Sequence, residues 1–108
     1  MKHGLNDKHL VLIKRILAAQ TSAIDRVALF GSRATGTYQP YSDIDLVVYG
    51  KVSENVIDRL WTLFQESSLP YKVDIVTYQQ LKSPALKRHI DQLALPLFSH
   101  QQLYANQY

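Results

Sequence analysis

At 108 residues, of which 46% are hydrophobic, the chain is long enough for one globular domain and too apolar to be disordered. The absence of cysteine excludes a disulfide framework and a thiolate metal site, and a net charge of +3 does not by itself indicate nucleic-acid binding. No apolar run approaches the roughly 18 residues of a membrane helix, and the N-terminus lacks the apolar segment of a signal peptide. We therefore expect a single cytoplasmic domain over residues 1–108.

The charges are unevenly distributed along the chain. Residues 1–40 contain six Lys or Arg and two Asp, and residues 78–108 contain three Lys or Arg and one Asp. The middle segment, residues 41–77, has three Lys or Arg against six Asp or Glu. We expect any metal site to lie in this acidic segment, because hard cations are bound by carboxylate oxygens.

The first two elements are a helix and a short strand. Apolar residues at helical spacing predict an amphipathic helix over residues 6–20, with Asn6 or Asp7 as its cap. His3 and His9 have no partner at metal-ligand spacing, so we expect both at the surface. The apolar run Arg26–Phe30 predicts the first strand.

A glycine turn follows this strand. Gly31 would let the backbone approach a bound phosphate, and free N–H groups of the turn and of a helix beginning at Ser32 would bind it. Arg33 adds a planar donor fork that suits phosphate. By itself the motif is more often only a turn, and it matches neither the P-loop nor the GxGxxG pattern.

A polar linker, residues 37–41, connects this turn to the second strand, because Pro40 disfavours a continuing helix. Tyr38 or Tyr41 could stack on a nucleobase. The alternative, which we favour, is a surface tyrosine packed on the loop.

Two carboxylates open the second strand, which is predicted over Ser42–Tyr49. Asp43 and Asp45 project from the same face and lie about 7 Å apart, since a strand rises roughly 3.3 Å per residue. Such a pair repels unless a cation lies between the two groups, and Mg²⁺ is the cation that suits them. The alternative is that Asp43 belongs to a turn and Asp45 is a solvated edge residue. The opposite face is assigned to the core through Ile44, Leu46 and Val48.

The second half of the chain predicts a helix over Val52–Ser67, a strand over Tyr71–Thr77, a helix from Ser83 to about Leu93, a short last strand at Leu97-Phe98, and a frayed tail over residues 101–108. Asp74 interrupts the third strand. It either lies on an exposed face beside Lys72 or is a third carboxylate that converges on the first two, which we favour. The last helix is expected to expose Lys87, Arg88 and His89. Alternating helices and strands predict an α/β or α+β domain, a small sheet covered on one side by helices.

Taken together, the two motifs at residues 31–36 (GSRATG) and 42–46 (SDIDL) resemble the signature of the nucleotidyltransferase superfamily that includes DNA polymerase β. They resemble the small bacterial minimal nucleotidyltransferase (MNT) proteins most closely. The resemblance extends to Asp74 and runs from the first helix to the region near Leu97. Thr35 departs from it, since many relatives have a second basic residue there.

The resemblance implies a polymerase-β-like core with a small mixed sheet and a two-metal transfer of a nucleoside monophosphate. In such a site Asp43 and Asp45 would hold two Mg²⁺ ions, and Asp74 would bind one ion or accept the proton of the acceptor hydroxyl. ATP is the donor that the resemblance implies. The residues implied to hold its β- and γ-phosphates are Gly31, Ser32 and Arg33.

The resemblance also implies a partner protein. MNT proteins commonly work with a helical HEPN-type partner, and some such pairs are a toxin and the antitoxin that adenylylates it. Two alternatives are a non-catalytic subunit that neutralises or positions its partner by contact, and adenylylation of a small molecule. The chain could form a homo- or hetero-oligomer. The sequence predicts no use of a nucleic-acid template, and it leaves the acceptor and the nucleotide preference open.

Overall fold

Four strands and five helices follow one another along residues 3–105, the part of the chain that this computed structural model describes. In chain order they are helix α1 (Asp7–Gln20), strand β1 (Ile24–Phe30), the one-turn helix α2 (Ser32–Thr35), β2 (Ile44–Gly50), α3 (Glu54–Glu66), β3 (Val73–Thr77), a 3₁₀ turn (Tyr78–Gln80), α4 (Pro84–Leu93), β4 (Leu95–Ser99) and α5 (His100–Tyr104). Side chains cap α1, α3 and α4 at their first turns: Asn6, Ser53 and Ser83.

The strands form one mixed sheet in the order β3-β2-β1-β4. β1 is antiparallel to both β2 and β4, whereas β2 and β3 are parallel and are connected through α3. This arrangement confirms the predicted small mixed sheet. It also places the end of β1 beside the beginnings of β2 and β3.

The main core lies between one face of the sheet and the helices α1, α3 and α5. As predicted, Ile44, Leu46 and Val48 project into it, and each is fully buried. The helices contribute further buried side chains, namely Ile13, Leu17, Leu60, Phe64 and Leu103.

Helix α4 packs on the opposite face of the sheet, so the prediction that all helices cover one side is wrong for this element. Ile90 of α4 forms a second apolar cluster with Ala28, Phe30 and Val47. The physical reason lies in β1, whose residues 27–30 are buried on both faces and therefore need cover on both. The α4 face is the face from which Asp45 projects, because Asp45 and Val47 share it.

The C-terminal segment is folded where the sequence predicted fraying. Ser99 and Gln102 form a capping box that begins α5, and Leu103 is only 1% exposed. The Tyr104 hydroxyl donates to the carbonyl of Thr21 at 2.7 Å and accepts from the amide of Ile24 at 3.2 Å. The last part of the predicted tail, residues 106–108, lies outside the described residues.

No helix within residues 3–105 combines the length and the apolar character that a membrane crossing requires.

Candidate active site

Neighbouring strands bring Asp45 and Asp74 side by side. The two residues are partners in the parallel pairing of β2 with β3, and Asp45 also pairs with Phe30 at the end of β1. Because adjacent strands lie about 4.8 Å apart, in-register carboxyl groups on one face can reach a common ligand. Asp43 lies just before β2 and is exposed. The structure thus places the predicted carboxylates near the beginnings of the two parallel strands, β2 and β3.

Asp45 is the most perturbed of these acids. Its pKa is raised from 3.8 to about 6, chiefly by burial and then by the negative charges of Asp74 and Asp43. Arg33 and His89 act in the opposite direction but do not cancel the shift. The carboxyl group therefore lies where a proton or a cation is favoured over an unpaired negative charge.

The carboxylates of these residues are suitable ligands for magnesium, although they do not form a complete metal-binding site. Carboxylate oxygens are the donors that Mg²⁺ prefers, and a cation near Asp45 would offset the repulsion that Asp74 and Asp43 exert on its carboxylate. Within residues 3–105, however, no three His, Asp or Glu side chains lie close enough together to hold a metal ion. Asp45 and Asp74 are partners in the pairing of β2 with β3, and Asp43 lies exposed just before β2.

The turn after β1 lies directly against Asp45. Gly31 has φ 73° and ψ −153°, and a Cβ atom there would overlap Oδ2 of Asp45 and lie 3.2 Å from its Cγ. The carbonyl of Gly31 accepts from the amides of Ala34 and Thr35, which closes the single turn of α2. The amides of Ser32 and Arg33 open that turn, where the first N–H groups of a helix have no carbonyl partner within the helix.

His89 is a residue of this site that the sequence reasoning missed. Its Nε2 atom accepts a hydrogen bond of 3.1 Å from the amide of Gly31. Its ring also meets Phe30 edge-on, with ring centres 6.4 Å apart and planes at 79°. The sequence offers no local signal for this role, since Lys87-Arg88-His89 has the pattern of an exposed basic face. Only the docking of α4 on this face of the sheet brings His89 to the turn.

Arg33 is turned inward, away from the phosphate role that the sequence predicted. It is 1% exposed, and its Nη1 and Nη2 atoms each donate a bond of 2.9 Å, to the carbonyls of His3 and Ser42 respectively. Its guanidinium carbon lies 4.4 Å from the ring centre of Tyr71 and 5.1 Å from that of Tyr38. These contacts fix the segment that precedes Asp43.

The N-terminal segment covers this guanidinium group, so the predicted surface position of His3 is wrong. His3 is 1% exposed, its Nδ1 accepts from the amide of Leu5, and its Nε2 has no partner among the described residues. Burial lowers the pKa of His3, and the N-terminal amino group and Arg33 lower it further. The close approach depends on Gly4, where a Cβ would lie 2.7 Å from Nη1 of Arg33.

The geometry of a glycine turn against strand carboxylates defines the class of this protein. The family model described as the nucleotidyltransferase domain matches residues 10–94, and the chain belongs to that family. A particular relative is the probable protein adenylyltransferase MntA of Haemophilus influenzae, 34% identical over 76 residues. That match covers 68% of this chain and 66% of the relative.

Two solved structures show the same fold. One is a toxin–antitoxin complex with AMP-PNP, with a TM-score of 0.69 and 23% identity over 90% of this chain and 77% of that one. The other contains a tri-AMPylated HEPN toxin of Shewanella oneidensis with its MNT antitoxin, with a TM-score of 0.61 and 23% identity over 86% of this chain and 75% of that one. These likenesses confirm the predicted nucleotidyltransferase fold.

Proposed function

We propose that this chain transfers AMP from ATP to a hydroxyl group of a helical HEPN-type partner protein and so acts as an MNT-type antitoxin in the cytoplasm. The observation that supports it most is that Asp45 lies against Gly31 and pairs with Asp74 across β2 and β3. The name of the relative MntA and the AMPylated HEPN toxin of Shewanella oneidensis support the choice of nucleotide and of partner.

The turn supplies the phosphate site in this proposal. Gly31 and Ser32 would hold the β- and γ-phosphates: the amide of Ser32 opens α2, where N–H groups favour anions, and Gly31, whose own amide donates to His89, would let the phosphates come close to the backbone. The missing side chain at Gly31 brings a bound phosphate next to Asp45, since nothing else separates the turn from that carboxyl group. In this proposal Arg33 does not contact phosphate. It positions the segment before Asp43, because its N–H groups donate to the backbone carbonyls of His3 and Ser42.

The acids supply the second half of the site. Asp43, Asp45 and Asp74 would hold two Mg²⁺ ions, which when bound offset the repulsion among the carboxylates and stabilise negative charge on the phosphates. In the reaction the acceptor oxygen bonds to the α-phosphorus, the bond from that phosphorus to the β-phosphate oxygen breaks, and pyrophosphate leaves. Asp74 would orient the acceptor hydroxyl and take its proton.

The experiment that tests this function uses α-labelled ATP, Mg²⁺ and the protein encoded beside this chain, with intact mass as the readout. We expect AMP to appear on the neighbour, and Asp45→Ala to abolish it. Asp58→Ala is the matched control, because Asp58 is an exposed acid on α3 and should leave transfer unchanged. The absence of any AMP adduct with the wild-type chain would overturn the proposed activity.

A second candidate function, neutralisation of the partner by contact alone, is favoured by two features of the site. The described carboxylates do not form a group of three that could hold a metal, and Arg33 faces inward. This alternative predicts a stable complex with the neighbour that carries no AMP and survives Asp45→Ala unchanged. The labelled-ATP experiment therefore separates the two functions.

A further inference from the structure

Tyr41 is the most exposed large apolar side chain within residues 3–105. Its exposed fraction is 90%, whereas Val11 and Leu93 reach 48% and 47%. A single exposed tyrosine is ordinary on a protein surface and needs no explanation by itself. What sets Tyr41 apart is the way its backbone is held.

The turn that presents Tyr41 is closed by two hydrogen bonds. The amide of Ser42 donates to the carbonyl of Gln39 at 3.0 Å, and the amide of Gln39 donates to Oγ of Ser42 at 2.7 Å. Pro40 occupies the position before Tyr41 and fixes its own φ angle. Tyr41 is thus the tip of a tight turn.

A buried cation fastens this turn to the body of the protein. Arg33 donates to the carbonyl of Ser42 through Nη2 at 2.9 Å and through Nε at 3.3 Å. The guanidinium group also donates to the carbonyl of His3, and Arg33 is 1% exposed, so a buried side chain holds the carbonyl of Ser42. Because the backbone of Tyr41 is already held, binding costs only the rotamer freedom of its side chain and no further backbone entropy, which favours affinity.

The turn lies at the edge of the candidate site, since Tyr41 precedes Asp43 by two residues. A molecule that buries this ring therefore also comes near Asp43. A nucleobase would be held in a cleft that encloses most of its surface. Tyr41 instead projects into solvent on nearly all sides, which is the shape of a side chain that inserts into a concave partner.

We propose that Tyr41 is an anchor that inserts into an apolar pocket of the acceptor protein and holds that protein beside Asp43. This inference rests on the proposed function. The rim of the partner's pocket would be basic, because the exposed carboxylate of Asp43 flanks the anchor. Tyrosine is among the residues that most often dominate binding at protein interfaces, since it buries a large rigid ring with few rotatable bonds.

The test measures binding of the protein encoded beside this chain, without ATP, so that its outcome does not require transfer. We expect Tyr41→Ala to weaken the complex about 30-fold, the loss typical of a central interface tyrosine. Tyr41→Phe keeps the ring and should stay within about 3-fold of wild type. Val11→Ser, an exposed apolar residue on α1, is the matched control and should bind as wild type does. Circular dichroism and thermal unfolding confirm that each variant is folded.

Three results would overturn the proposal. The first is equal affinity of Tyr41→Ala and wild type for the neighbour. The second is a raised KM for ATP with unchanged partner binding, which would assign Tyr41 to the nucleobase. The third is the absence of any complex between the wild-type proteins. If AMP transfer to a different acceptor were then observed, the transferase activity would stand and only the role of Tyr41 would be refuted.

Discussion

The backbone of Gly31 lies directly against the carboxylate of Asp45, so that a Cβ atom at position 31 would occupy the same space as Oδ2. Gly31 directly follows β1 and Asp45 is the second residue of β2, so their contact joins the glycine turn, proposed to bind phosphate, to the acidic pair. The two halves of the candidate site are therefore a single unit, and a change in either should affect the other.

The first prediction concerns Gly31→Ala. Gly31 has φ 73° and ψ −153°, a region open essentially to glycine alone. We expect the variant to lose about 1–3 kcal/mol of unfolding free energy from backbone strain. We also expect it to lose AMP transfer, because the new methyl group displaces Asp45. Chemical denaturation and the labelled-ATP assay measure the two effects.

Gly36→Ala is the control for that change. Gly36 also has a positive φ, 82°, but a Cβ there would meet no atom within 4 Å. A left-handed conformation costs about 1–2 kcal/mol for an L-residue, so the stability loss should be similar while transfer persists. Equal activity of Gly31→Ala and Gly36→Ala would contradict the role assigned to the close approach.

The second prediction is that Asp45→Asn stabilises the metal-free protein. Because burial and the acids Asp74 and Asp43 raise the pKa of Asp45 from 3.8 to about 6, the folded state holds this proton more tightly than the unfolded chain does. The resulting penalty is absent below pH 3.8, grows as the pH rises toward 6, and is complete above it. After allowance for solvent screening at this partly exposed group, it amounts to about 1–2 kcal/mol.

Unfolding curves at two pH values measure this effect. Asp45→Asn should exceed wild type in stability at about pH 7.5 and match it at about pH 4. Added Mg²⁺ should raise the Tm of wild type and leave that of Asp45→Asn unchanged, because bound metal stabilises only the state that binds it. A wild-type Tm that does not respond to Mg²⁺ at neutral pH would argue against a metal at Asp45.

The third prediction separates the two roles considered for Arg33. Lysine keeps the charge but cannot hold two carbonyls with a rigid fork. We expect Arg33→Lys to lose about 2–4 kcal/mol of unfolding free energy, given bonds to a charged donor that are each worth roughly 1.5–3 kcal/mol. The KM for ATP should stay nearly unchanged. Arg59→Lys, on the exposed side of α3, is the control and should unfold like wild type.

The opposite pattern would restore the phosphate role that the sequence predicted for Arg33. In that case Arg33→Lys would unfold like wild type and show a KM for ATP that is raised about tenfold, the effect of losing a charge-assisted contact of roughly 1.4 kcal/mol.

The fourth prediction concerns His89 as a positioning residue. Loss of its acceptor atom frees the amide of Gly31 and loosens the turn. One hydrogen bond is worth about 1 kcal/mol net, so His89→Ala should lower kcat/KM about fivefold. His89→Gln retains an acceptor and should recover part of that loss, which a purely packing role would not explain. Unaltered kinetics in His89→Ala would remove His89 from the site.

Much of the fold follows from local patterns. Apolar residues at helical spacing identified α1 and α3, and alternation with an interrupting acid identified β3 around Asp74. Two predictions about the helices are wrong, and each has a clear physical cause. The helix α5 was missed because five residues are too short for a periodic signal, although Ser99 and Gln102 form the capping box that begins it. The position of α4 was missed because β1 is buried on both faces, which a short apolar run does not reveal.

The sequence by itself determined the kind of chemistry to look for, because the residue types and their spacing set it: carboxylates at Asp43 and Asp45, a third at Asp74, and a glycine turn before them. The tertiary structure decided which of these groups meet. Asp74 reaches Asp45 only through the parallel register of β2 and β3. His89 reaches Gly31 only because α4 covers that face of the sheet. Arg33 turns inward because His3 of the N-terminal segment supplies a carbonyl for it. Such contacts join residues far apart in the chain, and their energies depend on how whole elements pack, which no local pattern encodes.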